Sequence, residues 1–137
     1  MSQYMLLVYE EEVDEEGQAE REKALPTMLE LHRDLREAGR LLAVRALRSV
    51  QSATTVRVRG SDTEITDGPF AVTKEVLAGY YLVECADLDD ALALARRLPM
   101  ARWGTIEVRP VMSADEWSNM GRRMGVDLTD EDLSSLS

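Results

Sequence analysis

The chain has 137 residues, 45% of them hydrophobic, with 26 acidic side chains against 16 basic ones and a formal net charge of −10. That size suits one domain able to bury its own core, and the lone Cys85 excludes an internal disulfide. The acidic balance argues against non-specific nucleic-acid binding, and no apolar run approaches the ~20 residues of a membrane helix.

The first residues carry neither a basic region nor a long apolar run, so we expect no signal peptide and a cytoplasmic protein. Tyr4-Met5-Leu6-Leu7-Val8-Tyr9 is a short apolar run closed by charges, which predicts a buried strand. Residues 10–18 form an acidic connection with little to bury. A helix follows, with an early break expected at Pro26, which has no amide to donate. Met28, Leu31, His32 and Leu35 then fall on one side at helical spacing. Gly39 is placed to end this helix, and residues 41–44 lead into a second strand.

Residues 54–59 alternate polar and apolar, Gly60-Ser61 suits a hairpin turn, and residues 63–66 make the return strand. Asp67-Gly68-Pro69 is then a turn unit, with Gly68 tolerant of positive φ and Pro69 fixing its own φ. Phe70, the only phenylalanine, is expected to plug this turn onto the core. Residues 79–85 read as a central strand. Asp87 is the expected N-cap of the next helix, with Asp90 as the reciprocal acid. Leu88, Ala91, Leu92, Ala95 and Leu98 form its expected buried stripe, and Pro99 stops it. In the last strand, residues 105–111, Ile106 and Val108 face one way and Thr105, Glu107 and Arg109 the other. Ser113 and Glu116 form a capping box for a short final helix with Trp117 as its anchor. From residue 128 the acidic, serine-rich tail is the alternative candidate for disorder.

This order predicts an α+β fold: an antiparallel sheet with two helices on one face, an extra β-hairpin and a C-terminal helical extension. The other sheet face has no helix left to cover it. Soluble monomers rarely leave such a face bare, so a second copy is the economical cover and a homodimer is expected.

Asp67-Gly68-Pro69-Phe70, followed by Lys74-Glu75, by Gly79-Tyr80-Tyr81 and by the strand from Gly104 to Pro110, resembles the DGPF branch of the YCII-related family. The similarity runs over about residues 4–111. It implies a ferredoxin-like domain at 1–112 that pairs into a dimeric α/β barrel, with a cleft, followed by a helix and acidic tail at 113–137. Some members carry a proposed His-Asp dyad, and a chlorinated-hydroquinone dehydrochlorinase is among them. The dyad positions fall at Met28 and Leu98 here, so that mechanism does not transfer. Genes of this branch often lie beside extracytoplasmic-function sigma factors, which implies a regulatory accessory role and a possible sigma-factor partner.

His32, the sole histidine, has two readings: a packed, hydrogen-bonded residue, or a base whose pKa suits proton transfer. Asp67, Lys74 and Glu75 are either a turn lock with a surface ion pair or a polar lip over a cleft. In the second case Lys74 holds an anion and Asp67 or Glu75 takes a proton. Tyr80, Glu107 and Arg109 share the helix-free side of the sheet, as cross-strand pairs, interface residues or ligand contacts. Phe70, Lys74, Tyr80 and Arg109 are thus the ligand-binding candidates, and His32, Asp67 and Glu75 the catalytic ones. The sequence has no phosphate loop, zinc-ligand set or EF-hand spacing, and no cofactor or metal is expected. Two functions stay open: a small-ligand-binding or regulatory module, and a small cofactor-free enzyme doing proton abstraction or elimination. Neither a nucleic-acid nor a membrane partner is expected.

Overall fold

A computed structural model describes residues 1–136. Its elements are β1 (Ser2–Glu10), α1 (Glu15–Glu22), α2 (Leu25–Glu37), β2 (Leu41–Ala46), β3 (Thr54–Arg59), β4 (Asp62–Asp67) and β5 (Val76–Cys85). They continue with α3 (Leu88–Arg97), β6 (Thr105–Pro110), α4 (Ala114–Arg123) and α5 (Asp130–Ser135). Four strands form one antiparallel sheet in the order β2-β5-β1-β6. Among the described residues β3 and β4 pair only with each other. This is a ferredoxin-like α+β fold. No helix among the described residues is long and apolar enough to cross a membrane.

Alternation along the two central strands decides what is buried. Tyr4, Leu6 and Val8 of β1 and Tyr81, Val83 and Cys85 of β5 point toward the helices and are buried. Leu31, His32 and Leu35 of α2 meet them, as do Ala91, Leu94 and Ala95 of α3 and Leu98 just beyond it. Each Leu or Val sealed there stabilises the fold by about 1.5–3 kcal/mol. The alternate residues Met5, Leu7, Tyr9, Tyr80 and Leu82 lie on the helix-free face and are half-buried within one chain.

Several local expectations change. Glu15 to Gln18 are helical rather than connecting, because the Asp14 side chain accepts from the Gly17 amide at 2.8 Å and caps α1. The expected break falls just ahead of Pro26: α1 ends at Glu22 and α2 begins at Leu25, with Pro26 in its first turn, where its missing amide costs nothing. The buried stripe of α3 includes Leu94, while Leu88 and Leu92 stay exposed at 48% and 37% on its flank. Asp90 does not return a bond to the Asp87 amide. Its carboxylate accepts from the Ala86 amide and from Arg40, both at 2.8 Å.

Arg40 also donates to the Glu84 carbonyl at 3.1 Å, so one guanidinium ties the end of α2 to β5 and to the start of α3. The expected capping box of α4 is present, and residues 130–135 are helical behind a second capping box, Thr129 with Asp132. Phe70 does not plug the core; it is 81% exposed. Backbone holds that turn instead. Gly68, at φ 97°, donates to the Ala53 carbonyl at 2.7 Å, and its carbonyl accepts from Thr55 Oγ1 at 2.8 Å.

Candidate functional site

A cleft of about 260 Å³ opens between α1, the start of α2 and the adjoining ends of β1, β2 and β5. Most of its wall is apolar: Val8, Leu25, Met28, Val44, Met100 and Trp103. His32 and Tyr81 supply its buried polar pair, with His32 Nε2 2.6 Å from the Tyr81 hydroxyl and the rings edge-on, centroids 5.2 Å apart. The pair follows from two periodicities. The helical stripe carries His32 inward, strand alternation carries Tyr81 inward, and each polar group satisfies the other.

Burial sets the chemistry of both groups. It lowers the His32 pKa below 6.5, with nearby Arg36 adding to the effect. It pushes the Tyr81 phenol up to about 12. Both are therefore neutral near pH 7. Two proton arrangements satisfy the bond: the phenol donates to Nε2, or a protonated Nε2 donates to the phenol oxygen. The pair can thus offer a donor or an acceptor to a third group by moving one proton.

The mouth is held differently. Trp103 Nε1 donates to Glu10 at 2.7 Å, and the Arg21 guanidinium lies 5.6 Å from the Trp103 ring centroid. Arg21 also reaches Glu10 at 3.9 Å and donates to the Glu11 carbonyl at 2.8 Å. At the inner edge Gly79 lets β2 close onto β5. A Cβ there would stand 2.6 Å from the Arg45 carbonyl oxygen.

The sequence candidates divide between places. His32 lines this cleft and Tyr80 borders it, although strand alternation gives the Tyr80 side chain to the helix-free face. Phe70 and Glu75 border a separate groove of about 610 Å³, where Glu75 accepts from the Thr105 hydroxyl at 2.7 Å. Asp67 and Lys74 border neither recess, so the structure does not gather Asp67, Lys74 and Glu75 around one cavity. Arg109 stands opposite Met5 on the helix-free face. Of the two dyad positions, Met28 lines the cleft, while Leu98 is sealed in the core. No group of three His, Cys, Asp or Glu side chains that could hold a metal stands together among the described residues.

Sequence reasoning missed Tyr81, Trp103, Glu10 and Arg21. Tyr81 had a signal. A tyrosine on the core face of a central strand needs a polar partner, and the apolar stripe of the first long helix held one polar ring. The mouth had none, because Glu10 and Trp103 are 93 residues apart.

The model of the YCII-related domain matches residues 2–118. An uncharacterized protein of Rhizobium meliloti (strain 1021) is 39% identical over 112 residues, covering 79% of this chain and 90% of the relative.

Proposed function

Since the chain belongs to the YCII-related domain family, we propose that it is a small-ligand-binding module whose ligand sits in the cleft beside His32 and Tyr81. The observation that carries this reading is the 2.6 Å His32–Tyr81 contact in a mostly apolar wall. A mostly apolar cavity with a few convergent polar groups is the usual form of a small-molecule site. The size and lining favour a compact, uncharged, mostly apolar molecule with one hydrogen-bonding group. We also propose that a second copy covers the helix-free face, since that face is apolar at its centre. A regulatory role beside a sigma factor fits the same reading, with the net charge of −10 supporting a basic partner surface.

The test is thermal shift with neutral aromatic and heteroaromatic fragments. Wild-type protein should gain stability as fragment concentration rises. Met28→Trp, which fills the cleft, should abolish the gain. No response to any fragment at millimolar concentration, or a response that survives Met28→Trp, overturns the proposal.

A second reading is proton transfer on such a ligand. It draws support from His32 being held neutral, and so able to accept a proton near pH 7 beside a phenolic donor. Deuterium exchange from solvent into an acidic C–H of a bound fragment should then occur with wild type and stop with His32→Gln. Equal exchange in both proteins removes the catalytic role.

A further inference from the structure

We infer that the β3–β4 hairpin is an arm whose apolar face packs into the groove of a second copy of this chain. This rests on the proposal that a second copy covers the helix-free face. The arm has two unlike sides. On one, Arg57 pairs across to Glu64, Arg59 to Asp62 and Thr55 to Thr66, a set suited to water. On the other, Val56 stands directly opposite Ile65 with Val58 beside them, and these three are 65%, 71% and 58% exposed. A two-stranded hairpin is marginal by itself, and three open aliphatic side chains on one side mark a surface meant for burial.

The groove of about 610 Å³ lies at the base of the arm, lined by Tyr9, Leu47, Val50, Phe70 and Leu77, with Thr55 at its rim. It has room for several aliphatic side chains. Within one chain the arm presents its Thr55 side to this groove and its Val56 side away from it. The two apolar surfaces therefore cannot meet inside one molecule. Exchange about a two-fold axis brings each arm to the other's groove, and each contact is then made twice.

Two further observations favour a second copy over an unlike partner. Tyr9 and Leu77 belong both to the groove and to the helix-free face, where Tyr9 pairs with Leu77 and Thr105, so one partner can cover both. That face carries Arg109 and Glu107 with no ion-pair partner among the described residues, the mixed signs that a self-complementary contact needs. Area points the same way. The apolar part of the sheet face is only the uncovered remainder of half-buried side chains, whereas a stable dimer buries about 800 Å² per partner. Arm and groove are the further apolar surface within reach of the same axis.

Sedimentation equilibrium over a range of concentrations tests this on the full chain. Wild type should dimerise, and Ile65→Lys on the arm and Leu47→Lys in the groove should each raise the dimer Kd by at least about tenfold. Both positions are exposed in one chain, so far-UV circular dichroism should stay unchanged. The double variant should be weaker by clearly less than the product of the two single effects, because the residues touch each other. A multiplicative effect, or an unchanged Kd for Ile65→Lys, overturns the arm-in-groove contact. Leu7→Lys reports on the sheet face separately. If it breaks the dimer while Ile65→Lys does not, the dimer stands and the arm inference falls. A wild-type chain that stays monomeric at high concentration defeats both.

Discussion

The cleft and the arm are built from opposite materials. Around the cleft, strands and helices cross-brace one another: Leu6, Val83 and Leu98 are at or below 1% exposure, and the polar pair is internal. The arm has cross-strand partners but no layer behind it. The arm runs straight into Asp67-Gly68-Pro69-Phe70, one part of the stretch that carries the family resemblance, while the cleft is lined by another part of it, Gly79, Tyr80 and Tyr81. The resemblance is thus divided between an exposed turn and a packed strand.

The contrast is sharpest in stability. Leu6→Ala should cost about 2–5 kcal/mol in urea unfolding, because a sealed site between sheet and helices cannot collapse around the lost methyls. Ile65→Ala on the arm should stay within about 0.5 kcal/mol at concentrations too low for association. Equal costs would mean that the arm is folded onto the body in solution and the contrast is false.

What the sequence disclosed follows the same divide. Periodicity reports which side of an element is buried, so β1, β5 and the inward set of α2 were readable, and with them the ferredoxin-like order. It reports nothing about which buried sides converge. His32 was therefore visible as a candidate and Tyr81 was not, although each is carried inward by the periodicity of its own element. Phe70 misled for a related reason. A large ring after a turn is usually a plug, but only if a core lies behind the turn, and this turn closes a hairpin that has none. Leu88 and Leu92 misled by a smaller margin. A stripe of leucines spans more than one helical face, and only packing against β5 and β6 selects Ala91, Leu94, Ala95 and Leu98.

The polar pair makes the cleft respond to pH. Tyr81 has its phenol raised from 10.0 to about 12 by burial. The unfolded chain therefore loses this proton first, and stability is lost as pH rises from 10 through 12, by on the order of 2–3 kcal/mol. His32 is lowered from 6.5, so its contribution is present above that pH and lost as the pH falls below it. Tyr81→Phe should remove the alkaline loss attributable to this phenol. It should also cost about 1–3 kcal/mol at pH 8, because the buried His32 Nε2 is left without its partner. A variant as stable as wild type, with the same alkaline profile, would mean that the two groups are solvated rather than joined.

The smallest effect should be the most informative about access. α1 buries no residue, so its hold on the body comes through polar contacts, and Arg21 makes three of them at the cleft mouth. Such contacts are individually weak: a cation over a half-buried indole contributes about 1 kcal/mol, and an ion pair at 3.9 Å contributes less. Arg21→Ala should therefore change global unfolding by under about 1 kcal/mol. Its consequence is local. With the clasp gone, amide exchange should speed up across α1 and stay unchanged in β1 and β5, whose bonds lie inside the sheet. The fluorescence of Trp103 should shift as its ring loses the guanidinium cover. If exchange in α1 is unaltered, the helix is held by something other than Arg21, and the cleft is a fixed opening rather than one that α1 can widen.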